Sequence, residues 1–411
     1  MSDAGRQVRS APELTPLDIA YGIPLGSDPV PALERDLSAR TPKEAIDEVL
    51  AEALGRTPCL VSFSGGRDSS ALLASAVQVA RREGLDLPIP ATLVFPRSEE
   101  SNEDEWQKIV LDHLGITEWE RFEIHEEFDA VGPVATDALL RHGLLWPFNT
   151  HFHAPIIERA AGGTVVTGFG GDELGRSLQA ARAEQILSSR KLNRRSDLLV
   201  VGLAVSPRPV RAVVHRRRAR ADMGEVPWLT EEGQRQLVRA HGASEASVPL
   251  GWEAKLRRWI WPGRYFRRCV QSLDALGSAQ DVDVVHPFVD RRVLDALGRA
   301  GGFRGLGSRT ELMRDVFGEV LPVEIIERST KGSFTGPLWT DTSMRFARAW
   351  SGEGVDRDLV DPDALRRHWA GDVRNLVSTT LLQSAWLHDH GGVRPPVDDG
   401  SGRTDPRSAP G

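Results

Sequence analysis

The chain has 411 residues, 40% of them apolar, and a net charge of −7, with 51 Lys and Arg against 58 Asp and Glu. That length allows two domains or one large domain with extensions, and the acidic balance argues against a general nucleic-acid or anionic-membrane binder. Two cysteines, Cys59 and Cys269, provide neither a disulfide framework nor a metal-ligand cluster. Met1 to Arg6 leads into no apolar core and no run approaches transmembrane length, so a cytoplasmic protein without a membrane partner is expected.

Residues 1–40 hold Pro12, Pro16, Pro24, Pro29 and Pro31 with little periodicity, and are expected to be an extended lead. Thr41-Pro42-Lys43-Glu44 is a helix start, with Thr41 as N-cap and Glu44 three residues on. Its face Ala45, Ile46, Val49, Leu50 and Leu54 is expected to pack on a first strand. That strand is the apolar run from Cys59, followed by Ser64-Gly65-Gly66-Arg67-Asp68-Ser69-Ser70 and a helical pattern through Leu72, Leu73, Ala76, Val77 and Ala80.

A strand-loop-helix unit of this kind directs backbone N–H groups and a helix dipole at one small volume. Gly65 and Gly66 let an anion approach the backbone, and Ser64, Ser69 and Ser70 add hydroxyl donors. Asp68 beside bound phosphate is repulsive unless a divalent cation lies between them. The loop therefore reads as a site for a polyphosphate with Mg²⁺. It lacks the Gly-Lys-Ser/Thr of a Walker A loop and the Gly-x-Gly-x-x-Gly dinucleotide fingerprint. The plainer reading is a Gly-Ser turn with Asp68 or Ser69 as helix N-cap.

Pro90 to Pro96 reads as a second strand, and Glu99 to Glu105 opens an acidic-capped helix over Trp106 to Leu114. Glu120 to Ile124 and Thr164 to Thr167 read as third and fourth strands. Strands alternating with helices imply an α/β fold, a doubly wound and mainly parallel sheet. The fourth strand enters a second glycine-rich loop, Thr167-Gly168-Phe169-Gly170-Gly171-Asp172-Glu173. Ligands of such sheets sit at the carboxyl ends of the strands, so Asp68 and Asp172 are expected to share a crevice. From residue 176 the chain becomes Arg- and Ala-rich, with no clear strand and most of the tryptophans, and a large helical portion is expected to 389. Arg208 to Arg220 is a basic stretch, read as a solvated helix face or a docking surface for an acidic partner. Asp290 is placed to cap a helix over Arg291–Leu297. Residues 390–411 read as a disordered tail.

The loop Ser64-Gly65-Gly66-Arg67-Asp68-Ser69 resembles the pyrophosphate loop of the ATP pyrophosphatases. Together with Gly168-Phe169-Gly170-Gly171-Asp172-Glu173, Pro287-Phe288-Val289-Asp290 and Leu321-Pro322…Arg328…Lys331-Gly332, it resembles the synthetase domain of the asparagine synthetase family, relatives of the β-lactam synthetases and lasso-peptide cyclases, over about Thr41 to Trp386. The resemblance implies one domain over 41–389, with an α/β nucleotide-binding part (41–175) and a mainly helical part (176–389). It implies ATP bound by the backbones of Phe63, Val94, Thr167 and Gly168, and its pyrophosphate by Ser64, Gly65, Gly66, Asp68 and Ser69. Asp68 and Asp172 would hold Mg²⁺, and Lys331 would act on the reacting phosphate as the catalytic cation. The implied reaction activates a small-molecule or peptide carboxylate as an adenylate and passes it to an amine, forming AMP and pyrophosphate.

Two departures qualify the likeness. Asparagine synthetases carry an N-terminal glutaminase domain with a nucleophilic cysteine, whereas residue 2 is Ser2 and only about 60 residues precede the loop. Nitrogen is then expected from ammonia, a separate glutaminase, or an amine of a metabolite or peptide. Where those enzymes place a glutamate, and β-lactam synthetases a tyrosine, this chain has Phe169, which leaves His151, His153 and Glu173 as candidate bases. Rival readings are a tRNA-modifying ATP pyrophosphatase, disfavoured by the acidic charge, and a non-catalytic nucleotide-binding protein.

Overall fold

In the computed structural model, which describes residues 10–35, 40–96, 103–175, 183–184, 186–187, 195–221, 223–328, 338–371 and 376–392, Cys59–Ser62 forms the middle strand, β1, of a five-stranded sheet. β2 (Ile89–Val94), β3 (Glu120–Glu123), β4 (Thr164–Val166) and β5 (Asp283–Val285) complete it in the order β3-β2-β1-β4-β5, every pair parallel. Chain order reverses between β1 and β4, which pair Cys59 with Thr164 and Val61 with Val166. Such a reversal opens a crevice at the carboxyl ends of the two strands. It is here that both glycine-rich loops emerge.

Alternation along the strands builds the two layers. Val61 and Val166 face a core with α2 (Pro42–Leu54), α3 (Arg67–Glu83), α4 (Asp104–Leu114) and the later helices Arg291–Gly301 and Arg309–Phe317. Leu60 and Val165 face the opposite core, with α5 (Pro133–His142), α6 (Ala154–Arg159) and the helix Arg264–Ser278. α3 is buried on nearly every side, from Ser69 to Ala80, so the loop that begins it is held by a packed element. α2 starts as its sequence requires, with Thr41 and Glu44 forming a reciprocal capping box and Pro42 in the first turn.

Two expectations are corrected. The helical portion does supply a strand: β5 lies after residue 176 and forms the sheet edge beside β4. Three residues are too few for a periodicity, and Asp283 is a poor strand former held here by an ion pair with Arg56 at 2.7 Å. The N-terminal lead is also ordered over its described part. It holds α1 (Pro16–Tyr21), begun by a second Thr-Pro capping box, Thr15 with Asp18. Asp18 pairs with Arg264, and the indoles of Trp228 and Trp146 donate to the carbonyls of Ala20 (2.8 Å) and Gly22 (2.9 Å).

α1 belongs to a third core made of Trp228, Leu237, Trp350, Trp369, Leu381 and Leu382. The tail beyond residue 392 lies outside the described residues. Among those described, no helix is long and apolar enough to cross a membrane.

Candidate functional site

Gly66 is the N-cap of α3 and makes no side-chain cap hydrogen bond, and the first N–H groups of such a helix point toward the loop that precedes it. The alternative of an Asp68 or Ser69 N-cap is thereby corrected. The Ser69 hydroxyl instead folds the loop over itself. It accepts from the Ser64 N–H at 3.2 Å, lies 3.1 Å from the Ser64 hydroxyl and donates to the Gly66 carbonyl at 3.2 Å. Gly65 adopts φ +79°, where a side chain is strained, and a Cβ there would stand 2.9 Å from Gln107 of α4.

The second loop presses against the first. A Cβ on Gly171 would come within 2.4 Å of the Asp68 carboxyl carbon, so only glycine permits this approach. Asp172 follows at once, in the short helix α7 (Gly171–Gly175). Arg309 lies between the acids. Its guanidinium donates to Asp68 at 2.5 Å and to Asp172, while its Nε has no partner. Burial opposes its charge, but Asp68 and Asp172 outweigh that and raise its pKa. Arg67 is lowered, by burial first and by Arg309 next.

These groups line a cavity of about 540 Å³ that includes Ser64, Gly66, Asp68, Ser69, Thr167, Gly168, Phe169 and Asp172. The sequence matches the asparagine synthase family over residues 43–388. The chain belongs to the asparagine synthase family. No curated protein matches it. A match among solved structures is an NMN synthetase from Francisella tularensis, at 12% identity over 85% of this chain and 94% of that one, with a TM-score of 0.23. Membership places the chain among ATP-dependent ligase-type synthetases.

Six of the nine expected nucleotide-binding residues of this asparagine synthase family member, and the expected metal acid Asp172, thus meet in one cavity. Phe63, Gly65 and Val94 do not line it. The Phe63 N–H donates to Ala91 at 2.7 Å and its carbonyl accepts from the Thr92 hydroxyl at 2.7 Å, so its backbone is engaged by β2. The Val94 carbonyl accepts from Ile124 at 2.7 Å, one strand further out. The Gly65 carbonyl accepts from Arg328 at 2.9 Å.

Lys331 lies outside the described residues, as does the rest of its Lys-Gly segment. Arg328, three residues earlier, is buried against the Ser64–Ser69 loop, paired with Glu103 and stacked 4.5 Å over the Trp106 ring.

The candidate bases separate cleanly. His151 is buried, its Nε2 2.9 Å from the Phe128 carbonyl, and it does not reach the cavity. Nor does Glu173 line it. His153 does. Phe169 packs its ring on Phe266 and on His286, with centroids 6.1 and 6.0 Å apart.

Arg309 escaped the sequence reading. Ser308 and Glu311 form a capping box around it, a signal that marks a helix start but says nothing of where the first residue reaches.

Proposed function

We propose that this family member is an AMP-forming amide synthetase that adenylates a carboxylate with ATP and transfers the acyl group to an amine. The observation that carries this reading is the meeting of Asp68 and Asp172 on Arg309, in a cavity floored by an uncapped helix start. Polyphosphate needs donors and positive charge at one end and, for its own counter-ion, hard oxygen ligands nearby.

The acids fit Mg²⁺, which is usually bound through one or two carboxylates together with phosphate oxygens. Asp68 and Asp172 would hold the ion, and it would neutralise phosphate charge. Arg309 pairs with both acids.

For the reaction, the substrate carboxylate attacks the α-phosphorus and pyrophosphate leaves into the Ser64–Ser69 loop. The amine then attacks the acyl carbon and AMP departs. Both steps build negative charge, which the ammonium of Lys331 stabilises. Phe169 adds an apolar wall on the substrate side, so the acceptor for the amine's proton is another group. The nitrogen comes from free ammonia, a separate glutaminase, or an amine on a metabolite or peptide, in the cytoplasm.

Pyrophosphate release with ATP, Mg²⁺ and a panel of amino-acid and peptide carboxylates tests this directly. Release that depends on both Mg²⁺ and one class of acid is expected. ATP binding with no acid-dependent release would leave a nucleotide-binding protein.

A further inference from the structure

Amide formation sheds one proton for every C–N bond made, so an acceptor must reach the reacting nitrogen. The side chains lining the cavity restrict the choice. Asp68 and Asp172 are held by Arg309. The Cys269 thiol is driven upward by burial, and next by the charge of Glu173, and stays protonated. Arg67 and Arg309 have no lone pair to offer. His153 is the one imidazole among the described lining residues.

His153 ends the turn Thr150–His153 that leads into α6, a fixed element rather than a loop tip. Its Nδ1 is buried and has no hydrogen-bond partner. Behind the cavity wall, His286 Nδ1 lies 2.6 Å from the Thr167 hydroxyl, and its Nε2 is also buried without a partner. Each ring is thus left with a nitrogen whose hydrogen-bonding capacity the surrounding protein does not use.

We propose that His153 is the proton acceptor for the attacking amine. This rests on the adenylation reading above. The amine lone pair forms the bond to the acyl carbon, and the carbon–oxygen bond to phosphate breaks with its electron pair leaving on AMP. The amine proton passes to His153, which returns it to water after product leaves.

The charged and titratable neighbours are Asp68, Asp172, Arg67, Arg309 and Cys269 around the cavity, His151 on the same turn and His286 behind Thr167. Burial, with His151 adding to it, pushes His153 down to about 4, so the ring is neutral and able to accept at physiological pH. A base that weak is inefficient. A nucleoside triphosphate brings more negative charge than one Mg²⁺ offsets, and that excess favours the imidazolium and raises its basicity toward the working pH.

The test is an NMR titration of the His153 ring in the full chain, with and without Mg²⁺ and α,β-methylene ATP, using His153→Gln to assign the signal. A rise of at least one pH unit on binding, a tenfold gain in proton affinity, is expected. Binding of the analogue with no movement of the His153 signal overturns the assignment and leaves the nucleotide site standing. Failure of the analogue to bind removes the nucleotide site itself, and this assignment with it. With the acid that supports pyrophosphate release, His153→Gln should lose about 10²–10⁴-fold of turnover with an alkylamine. Hydroxylamine, whose nitrogen once attached to the acyl carbon is more acidic and gives its proton to water more readily, should be affected less than tenfold. Equal losses with both nucleophiles mean a structural role and overturn the proposal.

Discussion

The crevice between β1 and β4 and the tryptophan-rich helical core treat buried polar groups in opposite ways. In the helical core most are provided for, the buried Thr380 hydroxyl being an exception. The Asp129 carboxylate accepts from the N–H and hydroxyl of Thr340 (2.6 and 2.8 Å), from both donors of Ser343, and from the Val131 N–H. The indoles of Trp228, Trp339, Trp350 and Trp369 each find an oxygen. In the crevice, Arg309 Nε, His153 Nδ1 and His286 Nε2 are buried without partners, and α3 begins without a side-chain cap. Satisfied networks fix a structure, whereas unsatisfied ones in a cavity suit a ligand that completes them.

This contrast predicts that damage to the two regions appears in different measurements. Asp129→Ala should cost about 3–5 kcal/mol in urea unfolding, because it strands several buried donors. Its turnover per folded molecule should stay near wild type. A stable Asp129→Ala protein that had lost activity would blur the distinction between the two regions.

Lys331→Ala should behave in the opposite sense. ATP affinity should be nearly unchanged while turnover falls about 10²–10³-fold, the effect of removing one fixed charge worth about 3–4 kcal/mol. Turnover at the wild-type rate would remove Lys331 from the chemistry and leave nucleotide binding alone.

Asp68→Asn and Asp172→Asn should each cut Mg²⁺-dependent turnover by about 10²-fold. Both acids are partly solvated and paired with a partly solvated arginine, so thermal stability should change by no more than about 1 kcal/mol. Activity near wild type in either variant would exclude that residue as a metal ligand.

The smallest effect expected is on pH. His151 is buried among Phe128 and Phe152, and burial holds it down to about 4. The unfolded chain, with its histidine near 6.5, binds the proton that the folded chain refuses. Stability is therefore complete above about pH 6.5 and is lost as pH falls toward 4. At pH 5 the loss from His151 is about 2 kcal/mol, read from urea midpoints at pH 7 and 5. An equal slope in His151→Gln would place the acid sensitivity elsewhere.

Much of this was legible in residues close together in the chain. Thr41-Pro42-Lys43-Glu44 specified the start of α2, and the run from Cys59 through Ser70 specified a strand, a glycine-serine loop and a helix in that order, because capping and helix-start chemistry act within a few residues. Asp290 was legible as an N-cap for the same reason, and it accepts from the Arg292 N–H at 2.8 Å. The same signature at Thr15-Pro16-Leu17-Asp18 was hidden among prolines, and α1 gains its place from Arg264, Trp146 and Trp228 far along the chain.

What only the tertiary structure decided is how distant pieces meet. Arg309 reaches Asp68 across a separation of 241 residues, so no local pattern contains that contact. β5 exists because β4 offers it an open edge, and three residues with one aspartate carry no strand signal of their own. The choice among His151, His153 and Glu173 was likewise beyond the sequence. His151 and His153 are two residues apart on one tight turn, yet His151 meets the Phe128 carbonyl and His153 lines the cavity. Local chemistry named the residues of the two glycine-rich loops, and packing between sheet and helices determined which of them share one cavity.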